Sequence, residues 1–220
     1  MNTKVFNLYF IRHAQSKANI DDKNTIGGIN LYCELTPNGI EQAKALGASL
    51  KSKSKKFDAV YSSIATRAQQ TASIVLDTME CDLPIYATSE LLELYPGDFE
   101  TESRDIYKEN KDIRAALDED NWNFVPGFRI KGESQYAVAK RMIQWINDRL
   151  KQYQNTEKDI NLCIFSHGLA IKYMVAELMN WDRKTAFKLV VDNTSVTHIS
   201  FDKSGLSMKC FNNTDHLISC

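Results

Sequence analysis

Val5-Phe6-Asn7-Leu8-Tyr9-Phe10-Ile11 runs directly into Arg12-His13. A short apolar run rich in β-formers predicts a buried strand, here with a cation and an imidazole at its carboxyl end. Working outward, two further segments repeat this arrangement. Residues 58–62 (Asp58-Ala59-Val60-Tyr61-Ser62) read as a second strand leading into a helix at 64–76 that carries Arg67. Residues 160–165 read as a buried strand that ends in Ser166-His167-Gly168, with a helix at 168–179 behind it. Strands alternating with helices predict an α/β fold, a three-layer α/β/α sandwich around a mainly parallel sheet.

The remaining patterns fit that frame. Thr36 reads as an N-cap with Pro37 at the first helical position, followed by Ile40, Ala43, Leu46 and Leu50 at helical spacing. Within 64–76, Ile64, Ala68, Thr71, Ala72 and Val75 share one face. A short third strand is expected at 83–88, and a strong amphipathic helix at 134–153 with Val138, Met142, Ile146 and Leu150 along its stripe. Asp182 reads as the cap of one more helix, up to Val191. Strands at 194–201 and 206–211 flank Asp202-Lys203-Ser204-Gly205 as a closing hairpin. Residues 94–132 contain Pro96, Gly97, Pro126 and Gly127, many charges and one weak helix near 104–117. Such an excursion is either plain surface or a lid or specificity region, and the reading favours the lid. With no linker or repeat, residues 1–220 read as one domain.

Composition narrows the class. Hydrophobic residues are 43% and charged residues 25% of the chain, and the net charge is −1. That balance is globular and offers no basic excess for nucleic acid. Lys51, Lys53, Lys55 and Lys56 follow an apolar-periodic segment and read as a solvated helix end. The five cysteines, Cys33, Cys81, Cys163, Cys210 and Cys220, are odd in number and form no CxxC pair. A disulfide framework and a zinc site are therefore not expected, and a cytoplasmic setting fits. The N-terminus has too short an apolar stretch for a signal peptide, and no segment is apolar for long enough to span a membrane.

Ligands of open α/β sheets bind outside the carboxyl ends of the strands. Arg12, His13, Arg67 and His167 all stand at or just beyond such ends. Guanidinium forks match phosphate oxygens, and the helix beginning at Gly168 adds backbone N–H groups. The expectation is a phosphate site. Taken singly, Arg67 could be a surface residue and His167 a hydrogen-bonded core histidine; the shared placement argues against both. His198 alternates within a strand and reads as structural. His216 lies in a polar tail. No metal-ligand spacing links the four histidines.

The ordered set Phe10-Ile11-Arg12-His13-Ala14-Gln15-Ser16-Lys17-Ala18-Asn19, Leu35-Thr36-Pro37-Asn38-Gly39, Ser62-Ser63 with Arg67-Ala68, Glu93 before Gly97, Gly132-Glu133-Ser134, Ser166-His167-Gly168 and Asn193-Thr194-Ser195 resembles the histidine phosphatase superfamily, which includes the phosphoglycerate mutases. The resemblance spans nearly the whole chain and implies a phosphoglycerate-mutase-like fold. It implies that His13 is the nucleophile, that Arg12, Arg67 and His167 bind the phosphoryl oxygens, and that Glu93 is the proton donor. It also implies that Gln15, Ser16, Asn19 and the turn at Gly27 and Gly28 line the substrate side, with Gly168 and Thr194 close by. Ala14 departs from the glycine more usual after the nucleophile. Glu93 lies among Leu91, Leu92 and Leu94, and partial burial there is expected to favour its protonated form.

Mutases of this family carry adjacent arginines followed by a proline-rich run. This chain has no adjacent arginine pair and only Pro37, Pro84, Pro96 and Pro126. Gly97-Asp98-Phe99-Glu100 resembles the G-x-W-E stretch of the phosphatase branch. The resemblance therefore implies a phosphomonoester hydrolase that needs no metal or cofactor and acts on a small phosphorylated molecule. The alternatives are mutase-type transfer and phospho-ligand binding without turnover. Arg104, Lys108, Lys111, Arg114, Arg129 and Lys131 are possible grips for a second anionic group, or solvated surface.

Overall fold

Leu8, Tyr9, Phe10 and Ile11 are all buried along β1 (Phe6–Arg12), so both faces of this strand are covered. In the computed structural model, which describes residues 4–20 and 24–218, β1 lies inside one six-stranded sheet. The other strands are β2 (Ala59–Ser63), β3 (Ile85–Thr88), β4 (Ile160–Ser166), β5 (Val196–Asp202) and β6 (Gly205–Asn213). Their order is β3-β2-β4-β1-β5-β6. The pairs β2–β3, β2–β4 and β1–β4 are parallel; β5 runs antiparallel to both β1 and β6.

The helices are α1 (Lys17–Ile20), α2 (Pro37–Ser52), α3 (Thr66–Met79), α4 (Ile106–Glu109), α5 (Lys111–Asp120), α6 (Gln135–Gln152), α7 (Gly168–Leu178) and α8 (Arg183–Lys188). Successive strand residues point to opposite faces. Leu8, Phe10, Leu162 and Ile164 accordingly join Met142, Trp145 and Ile146 of α6 and Ile171 and Met174 of α7. Ile11, Cys163 and Phe165 join Ala43, Leu46 and Leu50 of α2 and Ala72 and Val75 of α3. The sheet thus lies between two helical layers. Burying each large apolar side chain stabilises by about 1.5–3 kcal/mol, before conformational entropy is set against it.

Thr36 caps α2 as expected, its hydroxyl accepting from the Gly39 N–H at 3.0 Å. A Cβ at Gly39 would lie 2.0 Å from the Gln15 carbonyl oxygen, so glycine lets α2 rest against the segment after β1. Ser134 caps α6 in the same way through the Ala137 N–H. The side chain of Asp182 accepts from the Thr185 N–H, but α8 stops at Lys188, short of Val191. Two apolar assignments need correction. Ile40 is 36% exposed because the buried stripe of α2 is Gly39, Ala43, Leu46, Gly47 and Leu50. Ile64 is 37% exposed because α3 begins two residues later, with Ala65 at the cap position.

Residues 94–132 hold α4 and α5, separated by Asn110, which caps α5. Phe99 and Ile113 pack with Ile26 and half-buried Ile106, Tyr107, Leu117 and Phe124 in a cluster of their own. Backbone bonds tie this segment to residues 24–26: Ile26 N–H to Glu102, Thr101 N–H to Ile26, and Arg104 N–H to Asn24. Cys220 lies outside the described residues; Cys33, Cys81, Cys163 and Cys210 carry free thiols. Among the described residues no helix is long and apolar enough to cross a membrane.

Candidate active site

The carboxyl ends of β1 and β4 lie side by side, with Arg12 opposite Ser166 and the His13 N–H donating to the Ser166 carbonyl at 2.9 Å. This pairing sets His13 and His167 next to each other, with ring centroids 5.1 Å apart. The His13 Nδ1 stands 2.7 Å from the Ala14 carbonyl oxygen. A carbonyl only accepts, so Nδ1 carries the proton and Nε2 keeps its lone pair. Arg67, in the first turn of α3, donates its Nε to that Nε2 at 3.3 Å. Its terminal nitrogens donate to the carbonyls of Gly28, Ile29 and Asn30.

His167 is fully buried, with Nε2 2.8 Å from the Ser63 hydroxyl. That oxygen accepts from the Ala65 N–H, which leaves its own proton to donate to His167. The His167 proton then sits on Nδ1, and among the described residues Nδ1 has no partner. Arg12 donates Nη1 to the Val191 carbonyl at 2.7 Å, and its buried Nε likewise has none. Buried donors are nearly always paired. Two such N–H groups beside a neutral imidazole mark a place suited to an anion.

Burial pushes both histidines well below their usual pKa, and Arg67 and Arg12 push the same way. Both rings are neutral near pH 7. Burial also lowers Arg12 and Arg67, against which Glu93 acts on both and Glu100 on Arg67. A guanidinium keeps its charge nonetheless.

Glu93 does reach the site, but not through an apolar pocket. Its Oε1 accepts from the N–H groups of Leu94 (2.9 Å) and Ala170 (3.0 Å), and its Oε2 from Leu169 (3.1 Å). The carboxyl therefore sits on the N-terminal turn of α7, where backbone N–H groups lack helical partners. Glu93 is half-buried, as its leucine neighbours suggest.

The residues expected on the substrate side fall into a different arrangement. Gln15 turns its carboxamide oxygen to Thr36 and Asn38 at the start of α2. Ser16 donates to the side-chain oxygen of Asn19, which also accepts from Asn193; Asn193 in turn donates to the His13 carbonyl at 2.9 Å. These side chains link the segment after β1 to the His13 backbone. Gly27 is exposed and has no contact with the site, whereas Gly28 supplies a carbonyl to Arg67. Gly168 lies against the Arg12 side chain, 3.3 Å from where a Cβ would be. Thr194, in a left-handed conformation with φ 58°, directs its hydroxyl to the Asn193 carbonyl and to His216. His216 is thus a brace rather than part of a free tail. Arg104, Lys108, Lys111, Arg114, Arg129 and Lys131 are all exposed.

Four contributors were not assigned from sequence. Ser63 fixes the His167 tautomer. Thr71 accepts from the Ala14 N–H and donates to the Arg67 carbonyl. Asn193 holds the His13 carbonyl, and Val191 anchors Arg12 through its backbone. Thr71 lies one turn after Arg67, which is a legible spacing; a carbonyl such as that of Val191 leaves no signal. A groove of about 640 Å³ lies elsewhere, between β3 and α6, lined by Tyr61, Tyr86, Trp145 and Arg149. It is larger than a phosphoryl group needs and contains no histidine, so chemistry rather than volume locates the site.

Known proteins resemble the chain along nearly its whole length. The model of the histidine phosphatase superfamily (branch 1) matches residues 8–214. A broad-specificity phosphatase of Saccharomyces cerevisiae is 30% identical over 219 residues, covering 98% of this chain and 89% of the yeast protein. An adenosylcobalamin/alpha-ribazole phosphatase of Escherichia coli is 29% identical over 206 residues, 93% of this chain and 95% of its own. Among solved structures, a phosphoserine phosphatase from Entamoeba histolytica in complex with 3-phosphoglyceric acid superposes with a TM-score of 0.80 at 26% identity. The match covers 97% of this chain and 100% of the other.

Proposed function

The chain belongs to the histidine phosphatase superfamily, branch 1, and from that premise we propose that it hydrolyses small phosphate monoesters through a phosphohistidine on His13. The observation that carries the proposal is the pair of unpartnered buried donors, Arg12 Nε and His167 Nδ1, on the residues either adjoining or stacked near His13, whose Nε2 lone pair is met by Arg67 Nε.

The substrate phosphoryl group takes its oxygens to Arg12, Arg67 and His167. Nε2 attacks phosphorus in line as the ester oxygen leaves, and the Ala14 carbonyl stabilises the charge that grows on the imidazole. The departing oxygen needs a proton. Glu93 accepts one amide on Oε2 and two on Oε1, so Oε2 is the oxygen with room to carry it. In the second half Glu93 takes a proton from water, the water oxygen attacks phosphorus, and His13 is released with inorganic phosphate. Two guanidiniums and an imidazole N–H supply the positive field that phosphoryl transfer requires. A chelator is therefore expected to leave the rate unchanged.

The substrate is a small phosphorylated metabolite of the kind named for the relatives. The lid and specificity role belongs to residues 94–132 within a single domain, since one sheet takes strands from residue 6 to residue 213. The free thiols of Cys33 and Cys163, both buried, support a reducing, cytoplasmic setting. Rapid quench with labelled substrate tests the reading. Acid-labile phosphate is expected on wild type and none on His13→Ala; label on a serine or cysteine would overturn it. Adding a bisphosphoglycerate primer with phosphoglycerate is expected to yield free phosphate rather than an isomerised product.

A further inference from the structure

Arg67 is a buried cation surrounded by carbonyl oxygens. It donates to Gly28 at 3.2 Å, Ile29 at 3.0 Å and Asn30 at 2.7 Å, and among the described residues no carboxylate pairs with it directly. Carbonyls aim a guanidinium only as well as their own loop is held. Residues 27–34 form neither helix nor strand, and the stretch that carries these carbonyls is held on both sides and in between. On one side the Thr66 N–H of α3 donates to the Leu31 carbonyl at 2.8 Å. On the other, Ile26 exchanges backbone bonds with Thr101 and Glu102. Between them, next to the three carbonyls, the Asn30 N–H donates to Oε1 of Glu100 at 2.9 Å. A Cβ at Gly28 would lie 2.5 Å from that same Oε1 and 2.8 Å from Cδ of Pro96, so only bare backbone lets the carboxylate enter the loop.

We propose that Glu100 is a positioning residue of the phosphoryl site: its Oε1 fixes the 28–30 carbonyls that hold Arg67 against His13. The proposal rests on the reading of Arg67 as a phosphoryl-binding group. Glu100 itself touches neither the phosphoryl group nor His13. It gives the 94–132 excursion a mechanical connection to the chemistry, separate from any contact that segment makes with the leaving group. The Glu100 charge also acts on Arg67 in the sense that keeps the guanidinium protonated.

Three substitutions separate contact from charge. Glu100→Gln keeps an accepting oxygen at the same reach and removes the charge. Glu100→Asp keeps the charge and withdraws the oxygen by one methylene, and Glu100→Ala removes both. Small misplacements at a reacting centre cost up to about a hundredfold in rate. Glu100→Asp and Glu100→Ala are therefore expected to lose about ten- to a hundredfold in kcat/KM on nitrophenyl phosphate, and vanadate inhibition is expected to weaken by a similar factor. Glu100→Gln is expected to rescue most of both. In an Arg67→Ala background, where no guanidinium remains to be aimed, adding Glu100→Asp is expected to change inorganic phosphate binding little further. Glu100→Gln as damaging as Glu100→Asp would overturn the proposal. So would additive losses with Arg67→Ala, or a lowered melting temperature with unchanged kcat/KM and vanadate inhibition. Arg67→Ala alone leaving phosphate and vanadate binding intact would instead remove Arg67 from the anion site, a separate failure read in a separate arm.

Discussion

His13 is held ready by a single carbonyl. The Ala14 oxygen fixes the proton on Nδ1, and burial beside two guanidiniums keeps the ring neutral. A free imidazole protonates near pH 6.5. Because His13 and His167 both lie well below that value, kcat/KM on nitrophenyl phosphate is expected to show no acid limb centred near pH 6.5. A limb there would contradict the electrostatics described above. Glu93 is tested through the leaving group. A sugar or glyceryl alkoxide needs a proton, whereas nitrophenolate departs as the anion. General acid catalysis contributes about 10²–10⁴ in rate. Glu93→Gln is expected to cost a loss in that range on sugar or glyceryl phosphates and much less on nitrophenyl phosphate. Equal losses on both would make Glu93 a purely structural brace of α7. At this scale the chemical residues were legible because Arg12, His13 and His167 stand at strand ends. Their supports were not, because Gln15 and Thr194 look equally polar whether they face a ligand or a helix terminus.

Between elements, Thr71 is the fastening that matters most. On α3 it looks like one more member of a buried stripe, and the sequence assigned it to that face. The structure adds a bond from the Ala14 N–H and another to the Arg67 carbonyl, so one hydroxyl links the helix bearing Arg67 to the backbone after His13. Thr71→Val keeps the shape and strands the Ala14 amide. An unsatisfied buried donor costs about 1–3 kcal/mol, and urea unfolding is expected to show a loss of that size together with a fall in kcat. Full stability with full activity would mean that the linkage is idle. The elements themselves were largely readable from period and caps: Thr36, Ser134 and Asp182 each begin a helix where expected. The limits of that reading are physical. The close packing of α2 rests on two glycines rather than on Ile40, Gly39 against the Gln15 backbone and Gly47 against Val75 and Thr78 of α3, and α8 ends before Val191 although no proline or glycine marks the place.

Across the whole molecule, all four histidines are held below their ordinary pKa: His13 and His167 strongly, His198 and His216 each at about 4. A group depressed in the folded state binds its proton first in the unfolded one. Stability is therefore complete above pH 6.5 and declines as pH falls from there towards the folded values. Between pH 6.5 and 5 most carboxylates have yet to titrate, so denaturant midpoints measured across that interval report the histidines. A steady fall is expected, shallower in His198→Gln, which gives up its bond to Asn7 and its stacking on Tyr9. A flat profile would show that these rings find protonated accommodation in the fold. The strand order carries a consequence for biosynthesis. β1 has no neighbour from the first half of the chain: it lies between β4 and β5, whose residues are numbered 160–166 and 196–202. A ribosome that has released only β1, β2 and β3 has made one adjacent pair, β2–β3, and leaves the strand that leads into His13 without an edge to join. His13 is thus translated before either neighbour of its strand exists and waits longest for its surroundings, and a nascent chain stalled before residue 160 should be unable to take up phosphate at all.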